Sequence, residues 1–158
     1  MKTLLNCALA ILMGWTLVGC EHKPDIDNYR FLLGEWEISD EDLNKTSYEI
    51  WQIVSDTLFE GRMFDVVDGD TIKREKLWLE SRDGKIIYSA IVYGYNDDRR
   101  IYFDNTLKTI DRTRFENNNH DFPTMIQYKK TGMHFLEILV CDEDDTLPRI
   151  RMHKIQSK

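Results

Sequence analysis

Three groups of side chains in this sequence are equipped for chemistry. His120 and Asp121 are neighbours, and a carboxylate beside an imidazole can orient it or share a metal with it. Adjacent residues of an extended chain point in opposite directions, however, so the two act together only if the backbone turns sharply. Asn117 to Asn119 are turn formers, Asp121 can accept backbone N–H bonds, and Pro123 after Phe122 sets the entry into the next element. The segment therefore reads first as a structural plug and second as a ligand-binding loop. Glu49, Arg62 and Glu75 form the second group, charged residues set among apolar and aromatic neighbours, Trp51 among them. A guanidinium there could fork onto an acid or a carbonyl. The third group is thiols. Cys20 ends an apolar run, whereas Cys141 lacks a nearby basic group and reads as a small apolar residue.

Other chemistry finds little support. No two histidines have metal-ligand spacing, there is no CxxC, and the Asp142 to Asp145 run lacks the glycine and alternation of a calcium loop. Neither a G-x-S-x-G elbow nor a phosphate-cradling glycine loop occurs, so no motif argues for an enzyme, and no metal or cofactor is expected.

The N-terminus has Lys2 followed by an apolar run from Leu4 through Val18, too short for a membrane span and with no stop-transfer pattern after it. It ends in Leu17-Val18-Gly19-Cys20, which resembles the lipobox of bacterial lipoproteins. The resemblance implies that residues 1–19 are a cleaved signal peptide, that Cys20 carries the lipid, and that the domain is held at a membrane of the bacterial cell envelope, periplasmic or at the outer surface. Polar residues with Pro24 among them make 20–27 a tether, which leaves 28–158 as one domain. That domain, roughly 130 residues, is long enough for a hydrophobic core. The whole sequence carries a net charge of −7, and loss of Lys2 makes the expected mature chain more acidic still. Such a balance disfavours nucleic acid and anionic lipid surfaces as partners, so attachment to the membrane falls to the acyl chains. With Cys7 lost and Cys20 acylated, Cys141 has no partner for an intrachain disulfide.

Asn28 is placed to cap a short helical turn through Leu33, ended by Gly34. Helical periodicity then gives way to short segments rich in Ile, Val, Tyr, Phe, Trp and Thr, predicting strands over 34–40, 46–54, 57–67, 71–81, 86–95, 99–106, 111–116, 123–130, 133–141 and 148–156. Asp68-Gly69 and Asp83-Gly84 are type I′ hairpin signals. About ten strands linked by hairpins would leave long edges in an open sheet, so an all-β, antiparallel up-and-down barrel is predicted.

Gly34-Glu35-Trp36 after a helical turn is similar to the opening motif of lipocalins and other calycin barrels. Phe115-Glu116-Asn117-Asn118-Asn119-His120-Asp121-Phe122-Pro123 resembles the F-E-N-x-x-H-D-F-P signature of a family of uncharacterised bacterial lipocalin-like domains, departing from it at Asn118 and Asn119. YEIWQIVSDTLFEGR, DGDT and ESRDG are similar to segments of the same family, in the same order. The resemblance implies a calycin-like barrel with an internal cavity; in such a barrel Trp36 is expected to pack across the closed end beneath the helical turn, and the His120 to Pro123 segment to plug the mouth. It implies no activity. His153 invites comparison with nitrobindins, barrel haem proteins whose iron is held by a histidine near the C-terminus, but a lone histidine here reads as a polar strand residue.

Hairpin register sharpens the second group. If Ser55-Asp56 and Asp68-Gly69 are two-residue turns, Glu49 lies opposite Arg62 and Arg62 opposite Glu75. That row would share the barrel interior with Trp51, Ile53, Leu58, Phe64, Val66, Leu77 and Leu79, leaving Gln52, Asp65, Arg74, Lys76 and Glu80 to water. It would be either the polar end of a ligand pocket or a self-satisfied ion network. Two functions compete: a module binding a small, largely apolar ligand, and a structural or protein-interaction lipoprotein whose barrel is filled by its own side chains. Cavity volume discriminates between them.

Overall fold

A computed structural model describes residues 25–40, 45–142 and 147–155, the side chains of 39 and 40 excepted. The expected signal peptide, Cys20, most of the tether and the acidic residues 143–145 lie outside the described residues. Ten strands follow one another: β1 (Gly34–Asp40), β2 (Lys45–Ser55), β3 (Leu58–Val67), β4 (Asp70–Arg82), β5 (Lys85–Val92), β6 (Ile101–Lys108), β7 (Arg112–Glu116), β8 (Met125–Lys130), β9 (Phe135–Cys141) and β10 (Ile150–Lys154). Each pairs antiparallel with the next, and β1 pairs with β10 through Trp36 opposite Lys154, closing the barrel predicted from the strand count. Closure leaves none of the ten described strands as a free sheet edge.

Both Asp-Gly turns adopt left-handed backbone, with φ of 52° and 88° at Asp68-Gly69 and 52° and 74° at Asp83-Gly84, as type I′ turns require. The hairpin between β2 and β3 differs from expectation. Asp56 and Thr57 form the turn, Ser55 pairs with Leu58, and the register shifts between Ile53 and Ser55. A second shift interrupts β3 and β4, where Met63 pairs with Glu75 but Phe64 pairs with Lys73. Each extra residue moves the pairing by one position and turns the affected side chains to the other face.

A 3-10 helix over Ile26–Leu32 closes one end. Its cap is Asp25, whose side chain accepts from the Asp27 N–H at 2.9 Å, rather than Asn28. Ile26, Tyr29 and Leu32 recur every third residue and so share one face of a helix with three residues per turn. All three are buried, so Ile26 belongs to the domain and not to a tether ending at residue 27. Gly34 begins β1 instead of capping the helix. Its φ is +110°, and a Cβ there would lie 2.8 Å from Lys154 Cε.

Trp36 is buried across this closed end, as expected, and its Nε1 donates to the Leu32 carbonyl at 2.7 Å. Phe59, Leu77, Leu79, Phe115, Leu136 and Met152 fill the same end. Gly61 admits the Trp51 indole, because a Cβ on it would sit 2.9 Å from both that ring and Leu77 Cβ. Four expectations about faces are corrected: Leu58, Phe64 and Val66 alternate with buried Phe59 and Asp65 and so turn outward, Phe64 stacking on Tyr48 with ring centroids 5.4 Å apart, and Asp65, expected in water, is buried. Ile53 keeps the expected face opposite Phe59 but is 46% exposed. Asp65 is satisfied there by the Ser47 hydroxyl at 2.5 Å and by Arg74 Nε at 2.6 Å. Burial works to raise its pKa, but these donors and the Lys45 charge outweigh it and hold the carboxyl below its ordinary value.

Candidate functional site

Above the packed end the barrel encloses a cavity of about 510 Å³ that opens at the opposite end. Its wall is mostly apolar, with Ile38, Ala90, Ile101, Phe103, Ile126, Ile138, Val140 and Ile150 contributed by six different strands. Tyr88 and Tyr128 form the floor. They face the cavity on one side, and on the other Tyr88 packs against Phe115 and Trp51, with ring centroids 5.1 Å and 6.3 Å away.

Two carboxyl groups break this apolar lining. Glu49 on β2 and Glu75 on β4 both pair with Met63 on β3, so all three line one row of the interior. Glu49 is buried and accepts from Trp51 Nε1 at 2.6 Å and from the Tyr128 hydroxyl. Burial pushes its pKa up to about 7, with the neighbouring Glu75 charge raising it further and the two donors opposing the rise. Burial alone takes Glu75 to about 7. The same enclosure, together with the two carboxylates, keeps the Tyr88 phenol well above its ordinary range, and Tyr128 is raised likewise.

Arg62, placed between these carboxylates by the sequence reading, is not there. It is exposed on the outer face, opposite Ile50 on one side and Lys76 on the other. The turn at Asp56-Thr57 and the two register shifts explain the error, because a slip of one residue exchanges faces. Met63 takes the interior position instead. Trp51 is interior as expected but lies beneath the floor, where it holds Glu49 rather than touching the cavity.

The mouth is built by two loops. His120, Phe122 and Pro123 line it, while Asp121 is exposed and points away, so the imidazole and carboxylate do not act together. His120 Nδ1 lies 2.9 Å from the Pro123 carbonyl, and its ring meets Phe103 edge-on with centroids 5.9 Å apart. Facing it is the loop between β5 and β6, where Asn96, Asp97 and Asp98 all have φ between 51° and 54°. Three consecutive left-handed residues store backbone strain. Asp98 Oδ1 accepts the Gly94 N–H at 2.7 Å and Arg99 Nε donates to the Asn96 carbonyl at 3.1 Å, which hold the loop in place. Asn96 Nδ2 approaches His120 Nε2 at 3.4 Å, joining the two loops.

Tyr88, Tyr128, Met63, Tyr95, Asn96 and Arg99 were not singled out by sequence. Tyr88 and Tyr128 carried a signal, each an inward position in an alternating strand, but nothing local separates a floor residue from a core residue. His153 is exposed on β10 beside Phe135 and faces away from the cavity. Among the described residues no group of three His, Cys, Asp or Glu side chains could hold a metal ion. No protein-family model matches the chain, and no curated protein matches it significantly.

Proposed function

We propose that this protein is a lipid-anchored lipoprotein of the bacterial envelope whose lipocalin-like barrel binds a small, largely apolar molecule in its interior. The cavity carries the reading: about 510 Å³, open at one end, with an apolar wall and few polar groups. Small-molecule sites typically enclose roughly 300–1,000 Å³ lined in this manner. A barrel serving only as a scaffold would gain stability by filling that space with side chains, as its closed end does. The anchor rests on Leu17-Val18-Gly19-Cys20, and the family likeness on the Phe115 to Pro123 segment, whose His120, Phe122 and Pro123 shape the mouth.

Native mass spectrometry of the protein purified from its own host tests the binding reading. The expected result is a mass excess that disappears on denaturation and yields an apolar small molecule. Protein that arrives empty and also excludes apolar fluorescent probes would sink it. For the anchor, Cys20→Ser should abolish palmitate labelling and release the protein from membranes; labelling that persists refutes acylation at Cys20.

A further inference from the structure

The two carboxyl groups inside the barrel specify more than an apolar ligand. Glu75 has no hydrogen bond or ion pair with any described residue, is enclosed by the barrel wall, and keeps its accessible surface toward the cavity. Glu49 shares the same row, held by Trp51 and Tyr128, and no described cation pairs with it. Arginine enters the lining only at the mouth, as Arg99, which is exposed and already paired with Asp97 at 3.2 Å.

We propose that the cavity takes an apolar molecule ending in a protonated amine, its ammonium group seated between Glu49 and Glu75 and its apolar body against the Ile101, Phe103, Ile126 and Ile138 wall. This rests on reading the cavity as a ligand site. A buried carboxylate without a partner is costly, and two within reach of one another resist ionising together. An ammonium carries three donors and one positive charge, so it satisfies Glu75, offers a donor to the free lone pairs of Glu49 and removes their mutual repulsion. A carboxylic acid would add a third acidic group to the same space. An alcohol supplies one donor and no charge. The titratable groups facing the pair are the phenols of Tyr88, from the neighbouring β5, and Tyr128, from β8 across the barrel, which burial keeps neutral and which therefore do not compete as counter-ions. Glu49 and Glu75 both titrate near 7, so an arriving ammonium meets carboxyls that need release only a proton to become its partners.

The test uses full-length protein loaded with N-phenyl-1-naphthylamine and challenged with decylamine, decan-1-ol or decanoate, one chain length with three head groups. At about pH 8 the alkylamine remains charged, and the pH lies above the raised value of about 7 of each glutamate, so the bound ammonium can draw off their protons. Decylamine should displace the dye at a concentration about tenfold or more below that of decan-1-ol, with decanoate weakest, since charge-assisted hydrogen bonds are roughly twice as strong as neutral ones. Glu75→Gln should bring decylamine close to decan-1-ol, and Glu49→Gln provides the same comparison should the first variant fail to fold. Equal displacement by all three overturns the amine assignment and leaves a site for apolar ligands standing; preference for decanoate overturns it as well and points to Arg99 orienting the head group at the mouth. Failure of the dye and of every competitor to enter overturns both readings.

Discussion

Trp51 Nε1 donates to Glu49 Oε1 at 2.6 Å, two residues apart on the inner face of one strand. The bond joins the packed end of the barrel to the polar floor of its cavity. It also uses the only hydrogen-bonding atom of a buried indole to satisfy a buried carboxyl. Trp51→Phe removes that donor and leaves most of the ring volume. Loss of a partner to a buried polar group costs about 1–3 kcal/mol, so the urea midpoint should fall accordingly. An unchanged midpoint would mean that Glu49 is satisfied without the indole.

Stability without ligand should fall as pH rises from about 5 to 8. Glu49 and Glu75 have pKa values raised to about 7 in the folded protein, against an ordinary 4.5. Between those values the folded state holds protons that the unfolded state has released. The stabilisation is therefore full below the ordinary value and is lost as pH climbs through the raised one. Each proton contributes a slope of up to about 1.4 kcal/mol per pH unit. Denaturation series across this range should show the decline, and Glu75→Gln should flatten it. A stability curve that rises over the same interval would contradict the burial of this pair.

Arg62→Ala should change stability by no more than about 0.5 kcal/mol, the usual scale for an exposed side chain away from any network. Had the guanidinium lain between two buried carboxylates, its removal would cost about 3–5 kcal/mol. Thermal unfolding of this one variant separates the observed register from the one expected of two-residue turns. A large loss of stability would restore Arg62 to the interior.

Trp36→Ala should cost about 3–5 kcal/mol, typical of a buried aromatic replaced by a methyl group. The indole is 2% exposed and its N–H ties the 3-10 helix to β1 through the Leu32 carbonyl. Trp36→Phe should lose less, because it keeps most of the packing and forfeits the hydrogen bond. Melting temperatures that match the parent protein in both variants would remove Trp36 from the closed end.

The amino-acid sequence by itself determined the class of fold, the number of strands and the two Asp-Gly turns, because strand alternation and left-handed turn residues are local signals. It also determined Trp36 at the closed end, through Gly34-Glu35-Trp36 after a helical turn. What Glu49 and Glu75 face, and without whom, was decided by tertiary structure. Extra residues at the Val54 and Arg74 shifts displace the pairing by one, and side chains alternate with a period of two, so Arg62 went outward and Met63 inward. Those shifts depend on how β2, β3 and β4 fit around a closed barrel, and no residue type beside them announces it. The cavity has the same origin. Tyr88 and Tyr128 are inward aromatics like Phe115, and only the packing of ten strands leaves space above the tyrosines and none beside the phenylalanine.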